Sequence, residues 1–285
     1  MSGQGRSRLV RVLEDGRAST RPDHLATEEP LEIRLVAGGR RHTVAVTMRT
    51  PGADFELAVG FLFAEGIVAG RDDVRRITYC ADADADVDQR YNIVNVELAG
   101  RAAPDLRSLE RHFFTTSACG VCGKATLDAL EERGCTPRTG GPTVTAEVLY
   151  ALPAPLRSAQ GLFDATGGLH AAALFSPGGE LRAVREDVGR HNALDKLVGW
   201  AVLQGRVPLI DDLLLVSGRT SYEILQKAIV AGLPMVCGIS APSSLAVDLA
   251  ERFGVTLVGF LRDRRCNVYA HGGRISVGEP APVRP

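Results

Sequence analysis

The sequence contains no run of about 18 apolar residues, so no membrane-spanning helix is expected. Its N-terminus is polar and Arg-rich and lacks the apolar core of a secretory signal, which points to a cytoplasmic location. An excess of either charge is also missing: 33 Lys and Arg face 34 Asp and Glu. A formal net charge of -1 gives no general affinity for nucleic acid or an anionic membrane. Six cysteines in 285 residues are too sparse for a disulfide scaffold, and a reducing compartment would keep most of them as thiols. Neither a Walker loop nor a GxGxxG fingerprint is present, so ATP hydrolysis and NAD chemistry find no support. Internal repeats and low-complexity segments are absent as well. What is there, 45% hydrophobic and 24% charged residues, suits a globular chain of one or two domains.

Residues 1–28 mix Arg, Ser, Gly and Asp with little periodicity and read as a flexible tail. Leu31, Ile33 and Leu35 alternate as a strand should, and Ala37-Gly38-Gly39-Arg40 turns the chain. Val44, Val46 and Met48 alternate again, which predicts a hairpin. Phe55, Ala58, Val59 and Leu62 recur at helical spacing up to Gly66, and strands are expected around Val74–Cys80 and Asn92–Leu98. The order ββαββ predicts a small α+β roll over 29–108. Asp82, Asp84, Asp86 and Asp88 superficially resemble a calcium loop, but the central Gly and closing Glu are missing, so they read as a solvated hairpin tip.

The rest of the chain, 109–285, alternates strands and helices: Leu213–Val216, Leu233–Ile239 and Val255–Phe260 are apolar runs with helical segments between them. That pattern predicts a parallel sheet covered by helices. Thr220 and Glu223 are spaced as a capping box for the first of these helices, and another helix is expected over Asn192–Leu203. In such sheets ligands bind beyond the carboxyl ends of the strands. Those ends carry Ser217-Gly218-Arg219, Ser240-Ala241-Pro242-Ser243 and Phe260-Leu261-Arg262-Asp263-Arg264-Arg265. Two lead into helix N-termini, where free N–H groups attract anions, and Arg262, Arg264 and Arg265 add donors suited to phosphate. Three converging loops thus describe a pocket for a phosphorylated ligand, a nucleotide or a pterin. The alternative is that they are solvated loops that only cap helices. Glu186-Asp187-Val188-Gly189-Arg190-His191-Asn192 is the densest polar cluster, at another strand-to-helix junction. Its Asp187, Arg190 and His191 are candidates for binding polar groups or for acid–base work, and His170, after Gly167-Gly168, is a candidate for the same cleft.

The sharpest feature is Cys119-Gly120-Val121-Cys122-Gly123-Lys124, ahead of a helical stretch ended by Gly134. The helix dipole and the lysine both favour thiolate, the reactive form. Three readings compete: structural zinc, a thioredoxin-like dithiol, and a sulfur relay through a persulfide. Zinc needs two more ligands, yet no second CxxC or HxxxH exists, and His112 with Cys135 would complete the site only by unusual looping. A thioredoxin-like CxxC usually follows an early strand of a small domain, whereas this one follows 118 residues. The flexible Thr/Ser/Gly context and the separate anion pocket favour the relay. Cys80, Cys135, Cys237 and Cys266 read as buried small hydrophobes.

Several motifs occur together in fixed order: Glu56-Leu57-Ala58-Val59-Gly60-Phe61-Leu62-Phe63-Ala64-Glu65-Gly66, Cys119–Lys124, Gly167-Gly168-Leu169-His170, Glu186–Asn192, Ser217-Gly218-Arg219 and Ser240-Ala241-Pro242-Ser243-Ser244-Leu245. In this the chain, over about 29–271, resembles the FdhD family of formate dehydrogenase accessory sulfur carriers. The resemblance implies a cytidine-deaminase-like α/β domain behind the roll, in a homodimer. It implies that a cysteine desulfurase passes sulfur to Cys119 as a persulfide, with Cys122 assisting or sharing it. The sulfur would then reach the molybdenum of a bis(molybdopterin guanine dinucleotide) cofactor, bound as substrate and destined for formate dehydrogenase. The family pattern places the segment Phe260–Arg265 against that cofactor. A permanently bound metal is not expected, and the HxE and PCxxC elements of a zinc deaminase are absent. Such a protein is a sulfurtransferase in chemistry; the alternative is a chaperone that binds and inserts the cofactor without carrying sulfur.

Overall fold

The computed structural model describes residues 3–81, 90–100, 130–131 and 134–277. Cys119 and Cys122 lie outside the described residues, as do the acidic run from Asp82 to Asp88, His112 and Lys124.

The first departure from expectation is at the N-terminus. Instead of a tail, β1 (Gly5–Glu14) and β2 (Arg17–Ala26) pair antiparallel along their whole length. Asp15 and Gly16 make the turn at φ of 50° and 74°, the Asp-Gly combination that a tight hairpin requires. Periodicity could not reveal these strands because neither face is buried: Leu9 and Leu13 are 76% and 73% exposed. The base of the hairpin is fastened by Gln4, whose carbonyl accepts from the Thr27 N–H at 2.9 Å and whose side-chain amide donates to the Pro51 carbonyl at 3.0 Å.

The ββαββ segment forms as expected: β3 (Glu29–Ala37), β4 (Arg40–Arg49), α1 (Asp54–Ala64), β5 (Val74–Tyr79) and β6 (Ile93–Leu98). Their sheet has the order β4-β3-β6-β5, with β3 parallel to β6. Gly38 and Gly39 make the β3–β4 turn at positive φ, and Leu31, Ile33 and Leu35 are fully buried. Strand β4 carries an irregularity at Val44, where pairing steps from Arg34–Thr43 to Ile33–Ala45. The extra residue reverses the side-chain alternation. Val46 and Met48 therefore face solvent, contrary to their sequence pattern, while Arg49 turns inward.

The larger unit comprises β7 (Val144–Thr145), three short helices α2 (Ala146–Ala151), α3 (Pro153–Ala159) and α4 (Gly161–Thr166), then β8 (His170–Phe175) and β9 (Leu181–Asp187). It continues with α5 (Arg190–Leu203), β10 (Leu213–Val216), α6 (Tyr222–Val230), β11 (Met235–Gly238), α7 (Ser244–Phe253), β12 (Thr256–Arg262), β13 (Arg265–Ala270) and β14 (Ile275–Ser276). Six strands form one sheet in the order β13-β12-β11-β10-β8-β9. Only β10, β11 and β12 are parallel; β8, β9 and β13 run antiparallel to their neighbours, so the sheet is mixed rather than parallel. Successive strand residues alternate between two cores. Ala172, Leu174, Leu214, Val216, Val236 and Leu257 pack toward α5, α6 and α7, and Ala171, Ala173, Phe175, Leu213, Leu215 and Cys237 pack toward α2 and α3.

The first of those cores also contains the apolar residues of α1 and of the smaller sheet. The two helices at this seam touch through glycine. A Cβ on Gly60 would lie 1.8 Å from the Asp195 carbonyl oxygen, and one on Gly199 would lie 1.8 Å from that of Glu56. Buried charge reinforces the seam. Lys196 donates to Asp187 at 2.7 Å and to the Thr50 carbonyl at 2.8 Å, while Asp187, fully buried, also accepts from the Thr50 N–H at 3.1 Å. These contacts meet Oδ2, and Oδ1 accepts from the Gly189 N–H at 2.9 Å and from the Asn192 side-chain amide at 3.1 Å, so both carboxylate oxygens and the ammonium are satisfied, as buried charges must be.

Candidate functional site

The carboxyl ends of the parallel strands are stitched together by backbone hydrogen bonds. The Thr220 N–H donates to the Ala241 carbonyl at 3.2 Å, the Ser243 N–H to the Thr220 carbonyl at 3.0 Å, and the Phe260 N–H to the Ser240 carbonyl at 3.2 Å. This stitching displaces the capping box: the N-cap of α6 is Ser221, with no side-chain cap, and Thr220 is drawn into a bridge with Pro242. Glu223 is used elsewhere. Its carboxylate meets His191 Nε2 at 2.7 Å, which holds the Glu223 pKa below the usual range. Helix α7, by contrast, is capped by the Ser243 side chain, which accepts from the Ala246 N–H at 3.3 Å.

The segment after β12, expected as a loop, is a tight hairpin into β13. Asp263 and Arg264 form its turn at φ of 51° and 57°, and Phe260 is left-handed at 52°. Three residues other than glycine in this region store strain, which marks a segment whose conformation is over-determined by its surroundings. Leu261 is fully buried, so its side chain belongs to the core rather than to any ligand. Arg264 donates to Glu147 at 2.6 Å and lies 5.5 Å from the Tyr150 ring centre. Arg262, Asp263 and Arg265 are exposed, as is Arg219.

A cavity of about 680 Å³ gathers three of the predicted residues, His170, Ser217 and Arg262, from three elements. Its walls are Leu156 and Arg157 of α3, Phe163 of α4, the Gly167-Gly168 turn, and Ile239 at the end of β11. That is a size and a polar–apolar mixture suited to a small organic ligand. Glu186 fixes the α4 wall, accepting from the Leu162 and Phe163 N–H groups at 3.1 and 2.9 Å. Ser217 Oγ accepts from the Ala171 N–H at 2.9 Å and so ties the end of β10 to β8. His170 stands at the start of β8, and burial together with the nearby Arg190 and His191 depresses its pKa. Its ring is therefore the neutral, hydrogen-bonding form where an ordinary histidine begins to titrate.

His191 does not join this cavity. It points to a smaller cleft of about 330 Å³ with Glu65, Asp195, Glu223 and Lys227, on the other side of α5's first turn. Another cavity, of about 770 Å³, is lined by Phe63, Arg138, Ile210 and Val230 and contains none of the predicted site residues. Of the four scattered cysteines, Cys80 and Cys237 are buried, whereas Cys135 and Cys266 are only partly so. Burial raises the thiol pKa of both Cys237 and Cys266, which disfavours the nucleophilic thiolate. Sequence reasoning missed Arg157 and Phe163 as parts of the cavity, since no motif distinguishes them from ordinary helix residues, and it placed Glu186 in the polar cluster without foreseeing that it supports the cavity wall.

The sequence model of the FdhD/NarQ family matches residues 26–276. The chain belongs to the FdhD/NarQ family. Among its relatives, a sulfur carrier protein FdhD from Mycolicibacterium paratuberculosis is 54% identical over 270 residues, covering 94% of this chain and 97% of that one. The sulfur carrier protein FdhD of Streptomyces coelicolor is likewise 54% identical, over 95% of each chain. The fold is shared with a crystal structure of a candidate formate dehydrogenase accessory protein from Desulfotalea psychrophila. That match has a TM-score of 0.73 at 23% identity and covers 96% of this chain and all of the other. The family match begins at residue 26, so nearly all of the N-terminal hairpin precedes it. Among the described residues, no helix is long and apolar enough to cross a membrane.

Proposed function

We propose that this protein is a sulfur carrier that serves formate dehydrogenase. The observation that carries this reading is near-full-length similarity, at 54% identity, to sulfur carrier proteins in a chain whose sequence holds Cys119-Gly120-Val121-Cys122. In the first step the Cys119 thiolate attacks the outer sulfur of a persulfide on a cysteine desulfurase. A new S–S bond forms on Cys119, and the desulfurase cysteine leaves as thiolate, so electrons balance without an external oxidant. Cys122 assists or shares the sulfur. The acceptor would be the molybdenum of a bis(molybdopterin guanine dinucleotide) cofactor held as substrate; release of the outer sulfur as sulfide takes two electrons, which the Cys122 thiolate supplies by closing a disulfide with Cys119, and the product serves formate dehydrogenase.

The cavity bounded by His170, Ser217 and Arg262 supports the cofactor half of this reading, because it combines apolar walls with a few converging polar groups. The exposed Arg219, Arg262 and Arg265 lie on the same loop-bearing region and supply donors for phosphate. Ser240 contributes through its backbone, which fixes Phe260 at the start of the strained hairpin. His191 stands outside this cavity, paired with Glu223 in the neighbouring cleft.

The test is the intact mass of the protein after incubation with cysteine and a cysteine desulfurase. Additions of sulfur that vanish on reduction and are absent from Cys119→Ala are expected. No added sulfur with an active desulfurase would instead favour a chaperone that binds the cofactor without carrying sulfur.

A further inference from the structure

Arg190 is the first residue of α5, and its position is electrostatically unusual. Its Nε is buried without a hydrogen-bond partner, and among the described residues its guanidinium has no ion-pair partner. The carboxylate of Glu223 feels its charge but is hydrogen-bonded to His191 instead. The helix end itself makes matters worse. The N-cap is Gly189, no side chain caps the turn, and no acidic residue lies in it. A cation at this end opposes the helix dipole. A second group of the same kind stands beside it: a Cβ on Gly218 would sit 3.2 Å from His170 Nδ1 and 3.8 Å from Arg190 Cδ. Both distances start from the same Cβ position, so the His170 imidazole and the Arg190 side chain stand on one side of Gly218, where the absent side chain leaves them room.

An unpaired, partly desolvated guanidinium is costly unless something pairs with it. The groups facing it from the neighbouring elements are His170 on β8, His191 on α5 and Glu223 on α6, and none of them neutralises it. We propose that Arg190 and His170 form a binding site for a phosphoryl oxyanion beside the His170–Ser217–Arg262 cavity, with the free N–H groups of α5's first turn as further donors. The guanidinium supplies a planar fork, and the imidazole a single donor on the same side of Gly218. This inference rests on the reading of the cavity as a cofactor site and assigns Arg190 as the residue that receives a phosphoryl group there.

The probe is inorganic pyrophosphate, titrated calorimetrically into wild type and Arg190→Gln, with the His170 ring followed by NMR. Pyrophosphate is expected to bind wild type, to raise the pH at which His170 titrates, and to bind Arg190→Gln at least about tenfold more weakly. Without ligand, Arg190→Gln is expected to unfold at a higher temperature than wild type, because it removes an unpaired cation; a purely structural arginine would give the opposite sign. Equal pyrophosphate affinity in the two proteins would overturn the proposal. So would a wild-type His170 titration that pyrophosphate leaves unmoved, a result readable even if the variant fails to fold. A parallel arm measures retention of the intact molybdenum–pterin cofactor. Retention equal in both proteins would refute the Arg190 site and leave the cofactor reading standing. Pyrophosphate binding through Arg190 without cofactor retention by wild type would do the reverse, leaving a site for free phosphate.

Discussion

Arg49 and Arg190 are both removed from bulk solvent to different degrees, and their surroundings could hardly differ more. Arg49 is 1% exposed and donates to both Asp54 carboxylate oxygens at 3.0 Å, to the Tyr91 carbonyl at 3.2 Å and to Asn92 at 3.1 Å. Arg190 donates to none of the described residues. The first belongs to the region that joins the small sheet to the large one, where every buried charge has a partner. The second belongs to the loop-bearing edge of the large sheet, where cations are left over. Arg49 Nη1 also lacks a hydrogen bond, although it lies 3.6 Å from Glu29, so ion pairing rather than full hydrogen-bond satisfaction separates the part of the molecule that holds it together from the part that awaits a ligand.

If that division is correct, the largest losses of stability follow from substitutions at the seam. Lys196→Met leaves the fully buried Asp187 without its cation and is expected to cost about 3–5 kcal/mol in urea denaturation. Adding Asp187→Asn to that variant should recover part of the loss, since it removes the orphaned charge. A smaller but distinct loss, about 1–3 kcal/mol or more, is expected for Gly60→Ala, because the new Cβ collides with the backbone of Asp195 and the helices must separate. A seam that tolerated both changes would break the comparison.

The site side of the comparison responds to pH instead. The folded-state pKa of His170 is depressed, so the unfolded chain takes up this proton first as the pH falls. Stability contributed at this position is present above about 6.5, the ordinary histidine value, and is lost as the pH falls below it. His170→Asn is expected to flatten that part of a melting-temperature profile between pH 7 and 5. Glu223 acts in a lower window: its depressed pKa means that its contribution is present above the ordinary glutamate value and lost as acid protonates it. The smallest effect is expected on the N-terminal hairpin, where Leu9→Ser with Leu13→Ser, both on exposed positions, should change stability by less than about 0.5 kcal/mol.

The contrast also explains which features were legible in the sequence. Leu31, Ile33 and Leu35 announced their strand because one face is buried, and the runs at Leu213 and Leu233 announced theirs because both faces are. The bulge at Val44 was not legible, since the alternation of Val44, Val46 and Met48 continues across it unchanged. The hairpin of β1 and β2 was missed because it buries neither face, although Asp15-Gly16 was there to be read. At the site, His170, Ser217 and Arg262 come together because strand ends in a twisted sheet converge, which topology alone dictates. Leu261 and Arg264 could not be sorted by the same logic, because their environment depends on β12 continuing into a hairpin rather than a loop. Nor could the sequence distinguish the cluster residues Asp187, His191 and Arg190 from one another. One is fully buried and paired with a lysine, one is paired with a glutamate, and one is left without a partner.

The most direct test of the central claim follows the sulfur itself. The protein is loaded with ³⁵S from labelled cysteine and a desulfurase, freed of both, and mixed with formate dehydrogenase lacking its sulfido ligand. The account expects label to move to the dehydrogenase and its activity to rise together, and expects neither with Cys119→Ala. Activation by Cys119→Ala equal to that by the wild type, with the label left behind, would contradict it.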